Sequence, residues 1–212
     1  MSSSDIEKKI ARYLLQSNAI KLSPAKPFTW ASGWKSPIYC DNRITLSYPG
    51  IRSDIRDEFC RIITNQLSMP DYIAGVATGA IAQGVLVADK LDLPFVYVRS
   101  SPKSHGMENL IEGKIEPGSK VIVIEDLIST GGSSLKAIKA LQQANCEIVA
   151  MLAIFTYGFE SSLEKFKKES IPVITLGTYE TLIEEAYQAG EVNSYDLELL
   201  KSWRENPGEW DN

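Results

Sequence analysis

The stretch VIVIEDLISTGGSSLKA, Val121–Ala137, decides how this chain is read. Four β-branched residues run into two adjacent carboxylates, Glu125 and Asp126. Ser129, Thr130, Gly131 and Gly132 follow, and a helical pattern begins near Ser133. An unbroken Val/Ile run marks a strand covered on both faces, as in a parallel sheet. Packing gives no reason to end such a strand on two acids, so something polar has to be met there. The glycines let the backbone turn tightly and approach a ligand, the hydroxyls donate hydrogen bonds, and a helix N-terminus presents unpaired N–H groups to an anion. The turn therefore suits a phosphate. The two acids would be repelled by a phosphate and suit sugar hydroxyls or the water shell of a magnesium ion. Together they ask for a sugar phosphate. The plain alternative is a serine-capped helix after a glycine turn with two solvated acids; the apolar strand running into those acids weighs against it.

Working outward, apolar runs at 71–77, 95–99, 147–155 and 171–177 resemble the one at 120–126. Helical patterns at 81–91, 133–143 and 160–168 alternate with them. That alternation predicts an α/β fold, a mostly parallel central sheet flanked by helices. Ile6, Ile10, Tyr13 and Leu14 share one face of a helix over Asp5–Gln16, and a second helix is predicted over 50–67. Between them, LSPAKPFTWASGWKSPIY reads as loop or short irregular strands. Residues 179–205 follow an amphipathic helix pattern, with a polar, Pro- and Gly-containing tail expected to be disordered.

Composition removes several classes of function. The chain has 212 residues, 44% of them hydrophobic, enough for a full core. No apolar run approaches the roughly 18 residues of a membrane span, and MSSSDIEKKIARYLLQ carries charges where a secretory leader needs its apolar segment. A cytoplasmic location is expected. Cys40, Cys60 and Cys146 lie far apart and read as buried free thiols. A net charge of −5 argues against broad nucleic-acid or membrane-surface binding. Gly79 and Gly84 have the spacing of a mononucleotide loop, but Val85 stands where that loop needs lysine; no G-x-G-x-x-G is present.

Three segments carry a resemblance. VIVIEDLISTGGS resembles the phosphoribosyl pyrophosphate (PRPP) signature of the type I phosphoribosyltransferases. FTWASGWKSPIYCDNR (28–43) is similar to the N-terminal segment of their orotate-using branch, and RSSPKSHGMENLIEG (99–113) resembles that branch's mobile catalytic loop. The similarity runs from about Phe28 to Tyr157. It implies transfer of the phosphoribosyl group of PRPP to orotate, with magnesium carried mainly by PRPP and no metal ligands of the protein's own. It also implies one domain over 1–212, with a helix and hood over about 1–45, a PRPP-binding core over about 70–178 and a tail from about 205. Residue by residue, Arg99, Lys103 and His105 take the catalytic loop positions that meet the leaving pyrophosphate. Glu125 and Asp126 take the ribose hydroxyls, and Leu127, Ile128, Ser129, Thr130, Gly131, Gly132 and Ser133 form the 5-phosphate loop. Ser129, Lys35 and Tyr39 face orotate, with Ser32 and Gly33 beside them. The loop is expected to reach a neighbouring subunit, so a homodimer with shared sites is implied.

The chain departs from part of that branch at three places. Ala31 stands where some members carry lysine, VATGAIAQG lacks a lysine after the first core strand, and Tyr157 falls near an orotate-reading arginine. Two other readings stay open at this stage: a transferase for another base, and a PRPP-sensing regulator without turnover. The SGWKSPIY segment speaks against the first. The lack of any basic cluster for DNA speaks against the second. Trp30, Trp34 and Tyr39 fit core packing, a subunit interface or a ligand equally well.

Overall fold

The computed structural model describes residues 3–30, 33–101 and 110–210. It opens with helix α1 (Ser3–Gln16), then four short strands, β1 (Ile20–Leu22), β2 (Phe28–Thr29), β3 (Lys35–Ser36) and β4 (Ile38–Cys40). A 3₁₀ helix (Asn42–Ser47) and α2 (Pro49–Gln66) follow. The alternating core then runs β5 (Tyr72–Val76), α3 (Ile81–Leu91), β6 (Phe95–Val98), β7 (Ile111–Glu112), β8 (Lys120–Ile128), α4 (Gly132–Gln143), β9 (Glu147–Thr156), α5 (Glu160–Lys168) and β10 (Val173–Thr178). Helices α6 (Tyr179–Gln188) and α7 (Ser194–Glu205) close the chain.

The central sheet has the order β10-β9-β8-β5-β6-β7, parallel except for β7. This is the mostly parallel sheet expected from the apolar runs. Val121, Ile122, Val123 and Ile124 are fully buried, each contributing roughly 1.5–3 kcal/mol of transfer free energy. They point alternately into two apolar layers. Val121 and Val123 meet Ala137, Ile138 and Leu141 of α4 and Phe166 of α5. Ile122 and Ile124 belong to the layer of α1, α2, α3, α6 and α7. Right-handed crossovers explain the division: β8 passes through α4 to β9 on one side, while β5 passes through α3 to β6 in the opposite direction. Strand order therefore reverses between β5 and β8, and a crevice opens at their carboxyl ends.

The structure sharpens three readings. The helix pattern over 179–205 is two helices, because Gly190 takes φ +75° and a capping box of Asn193 and Asp196 starts α7 afresh. The tail is not loose as far as Trp210: that ring packs against the core, and Gly208 lies against Trp34. Trp30 and Trp34 are packing residues. Trp30 meets Tyr157 and Trp203 at 5.2 and 5.6 Å between ring centroids, and Trp34 meets Phe159 at 6.4 Å. Among the described residues, no helix is long and apolar enough to cross a membrane.

Candidate active site at the carboxyl edge of the sheet

The strand run that opened the reading extends two residues further than expected. Leu127 and Ile128 are paired with β9, so they belong to β8 and not to the turn. The turn is Ser129, Thr130 and Gly131. Gly131 takes φ +74°, a left-handed conformation that side chains other than glycine's resist, and a Cβ there would come within 3.1 Å of Phe166. Gly131 is also the N-cap of α4, and no side chain caps that helix. Its first amides have no side-chain cap, so the alternative of a serine cap is excluded. Lys165 of α5 donates to the Thr130 carbonyl at 2.9 Å, bracing the turn from outside.

The two acids part company. Asp126 is half-buried and leans over the VATG turn after β5: a Cβ placed on Gly79 would lie 2.0 Å from its Oδ2. Glycine at 79 is thus what lets the carboxylate sit there, in the crevice between β5 and β8. Glu125 points to the α4 side and is only 3% exposed. Its Oε2 accepts from the Ser134 hydroxyl at 2.7 Å, and its Oε1 accepts from the Asp126 amide at 3.0 Å. Burial, with Asp126 beside it, pushes the Glu125 carboxyl well above the usual carboxylate range.

The hood is tied to this edge by residues the sequence reading passed over. Asn42 donates from Nδ2 to the Asp126 carbonyl at 2.6 Å, and the Cys40 thiol donates to Asn42 Oδ1 at 3.2 Å. Burial raises the Cys40 thiol, and Asp126 and Asp41 raise it further. Asn42 stands inside the quoted YCDNR stretch, so its position was visible and its role was not. Trp203 Nε1 donates to the Lys35 carbonyl at 3.1 Å and pins the β2–β3 hairpin. Lys35 Nζ donates to Thr29 Oγ1 at 2.9 Å, and the exposed Tyr39 ring lies 5.8 Å from Phe28. Tyr157, nominated as a place of departure, is buried in the aromatic cluster and stacks on Phe159 at 5.3 Å.

At the foot of the third segment β6 and β7 pair antiparallel. Arg99 N donates to the Leu110 carbonyl at 2.8 Å where β6 meets β7. The Arg99 guanidinium lies 3.3 Å from Glu112 Oε1. Lys103, His105 and Ser32 lie outside the described residues. Lys136 of α4 donates to the Ser100 carbonyl at the foot of that segment.

The arrangement offers an uncapped helix start that suits a phosphate and, at the end of the preceding strand, a half-buried carboxylate that suits hydroxyls. Compared with known proteins, residues 51–176 match the phosphoribosyl transferase domain family. The chain is 56% identical over 206 residues to orotate phosphoribosyltransferase of Phocaeicola vulgatus, covering 97% of each chain. Among solved structures it is similar to orotate phosphoribosyltransferase from Aeropyrum pernix, with a TM-score of 0.74 and 26% identity over 87% of this chain and 99% of that one. It also shares its fold with UMP synthase of Leishmania donovani: TM-score 0.78, 23% identity, 96% of this chain against 42% of that one.

Proposed function

The chain belongs to the orotate phosphoribosyltransferase family, and we propose that its crevice moves the 5-phosphoribosyl group of PRPP onto a ring nitrogen of orotate, releasing orotidine 5'-monophosphate and pyrophosphate. The observation that carries the reading is the seat of Asp126 over Gly79, next to the uncapped start of α4. It sets a hydroxyl-binding acid and an anion-binding turn at one topological switch point.

In this reading the amides of the 129–133 turn hold the 5-phosphate, with Lys165 fixing the turn's shape. Asp126 accepts from the ribose diol. Glu125 works from behind, holding the Asp126 amide and the Ser134 hydroxyl so that the acid and the turn keep one spacing. Positive charge builds on the ribose as pyrophosphate departs, and the enzyme's part is mainly electrostatic. The VATG turn offers small residues and N–H groups to the pyrophosphate, and Arg99, Lys103 and His105 supply the cations. Magnesium would be carried by PRPP, which supplies phosphate oxygens, while the half-buried Asp126 would meet its water shell. When bound, the ion neutralises charge on the leaving group. Ser129, Lys35 and Tyr39 are assigned to orotate. Loop 99–113 closes over the crevice and excludes water from the activated sugar. We further read the enzyme as a cytoplasmic homodimer, each loop serving its partner's site.

Product chromatography tests the reading. One orotidine monophosphate and one pyrophosphate should form per orotate consumed, and chelation of magnesium should stop both. Mixing a Lys103→Ala chain with an Asp126→Ala chain should restore activity through mixed dimers; no recovery after subunit exchange overturns the shared site.

A further inference from the structure

Outside the crevice, α4 and α5 face one another across a groove of about 680 Å³. Four lysines line it: Lys136 and Lys139 one turn apart on α4, and Lys165 and Lys168 one turn apart on α5. Glu169 is the one acid in the lining, and it is already paired with Lys139 at 3.2 Å. Among the described residues, Lys136, Lys165 and Lys168 have no carboxylate within ion-pair distance. Lys136 and Lys165 donate to neutral carbonyls, those of Ser100 and Thr130. Among the described residues, three ammonium groups without an ion-pair partner thus share one groove on a chain whose net charge is −5. Like charges gathered in one groove repel; the C-terminal turn of α5 favours Lys165 and Lys168, but it gives no reason for Lys136 and Lys139 to face them from α4. Leu110, Leu135 and Ala140 supply an apolar wall beside them.

We propose that this groove is a second anion site, lying behind the phosphate turn and sharing only Gly132 with it, that takes a linear polyphosphate. The lysines form two rows with residues one turn apart, about 5–6 Å between Cβ atoms. A single phosphate spans one step of such a row, whereas a chain of phosphates meets both rows. The chain can come from inorganic polyphosphate or from the tail of a nucleoside triphosphate, whose base would rest on the apolar wall. Occupancy draws Lys136 from the Ser100 carbonyl and Lys165 from the Thr130 carbonyl. Those carbonyls belong to the root of the 99–113 loop and to the phosphate turn, so the groove is coupled to turnover.

The test is calorimetric titration of tripolyphosphate into the full chain saturated with PRPP, with magnesium in excess over all phosphate. Wild type should bind one equivalent, with affinity falling steeply as salt is added. Lys139→Met/Lys168→Met should lose at least tenfold in affinity while keeping wild-type turnover in the absence of tripolyphosphate. A nucleoside triphosphate binding more tightly than tripolyphosphate assigns the groove to nucleotides; equal affinities assign it to inorganic polyphosphate. Equal tripolyphosphate affinity in wild type and the double variant, or no binding to the PRPP-saturated protein, overturns the proposal. Wild-type turnover that ignores bound tripolyphosphate overturns the coupling through Ser100 and Thr130. Orotate consumption without tripolyphosphate is a separate control, so failure of the transferase reading is seen apart from failure of the groove.

Discussion

Replacing Gly79 by alanine tests the seat of Asp126 with a single methyl group. The new Cβ would stand 2.0 Å from Oδ2 and 2.3 Å from Cγ of Asp126, whereas ordinary contact begins near 3.4 Å. The carboxylate must therefore retreat by at least 1.0 Å to reach the 3.0 Å limit, and by 1.4 Å to reach ordinary contact. It is the free end of a half-buried side chain, so stability should change by less than about 1 kcal/mol. Function should not be spared. A displacement of that size breaks a hydrogen bond between a carboxylate and a sugar hydroxyl, worth about 1.5–3 kcal/mol, or roughly 10- to 150-fold in PRPP affinity. Calorimetric titration of PRPP into wild type, Gly79→Ala, Asp126→Ala and the double variant forms a closed cycle. Gly79→Ala should cost most of that factor in the wild-type background and almost nothing once Asp126 is gone. The same loss in both backgrounds would refute the reasoning, because the methyl group would then be acting on something other than this carboxylate.

Other substitutions probe separate parts of the account. Burial raises the Glu125 carboxyl, and an acid whose folded pKa is raised contributes stability below its unfolded pKa that is lost as pH rises through the folded one. Glu125→Gln should therefore gain on wild type as pH rises above the ordinary carboxylate range near 4.5, by up to about 1.4 kcal/mol per pH unit in urea unfolding; a constant difference across pH counts against a buried proton. Asn42→Ala removes the 2.6 Å bond to the Asp126 carbonyl and should lower kcat/KM for PRPP about tenfold, from a loss of about 1–1.5 kcal/mol; unchanged kinetics would detach the hood from the ribose site. Trp203 is fully buried among Trp30, Tyr157, Phe159 and Tyr179, so Trp203→Ala should cost about 3–5 kcal/mol in thermal or urea unfolding.

The parallel core was legible because its strands are covered on both faces and therefore written as unbroken Val/Ile runs. The turn after β8 was legible for a different reason: two adjacent acids followed by two glycines serve chemistry better than packing. Long-range partnerships left no such mark. Nothing near Glu125 says that Ser134, nine residues on, will take its carboxyl, or that Asp126 will need Gly79 beneath it. Strand alternation could have separated the acids, since adjacent residues point to opposite faces, but which face carries the crevice depends on the order of the strands. The hood was read as irregular because its strands are two or three residues long and are fixed through distant elements, Trp203 reaching in to Lys35 and Asn42 reaching out to Asp126. Gly190 marked the break between α6 and α7, and the amphipathic pattern on either side concealed it. The lysine groove belongs to neither helix alone; it exists because α4 and α5 lie on the same face of the sheet.

The most direct test of the central claim follows the ultraviolet absorbance of orotate when the purified protein is mixed with PRPP and magnesium, with adenine and uracil assayed alongside. Loss of the orotate signal that requires PRPP, with neither other base consumed, is the expected result. Bound PRPP with no loss of orotate, or consumption of another base in its place, would contradict the account.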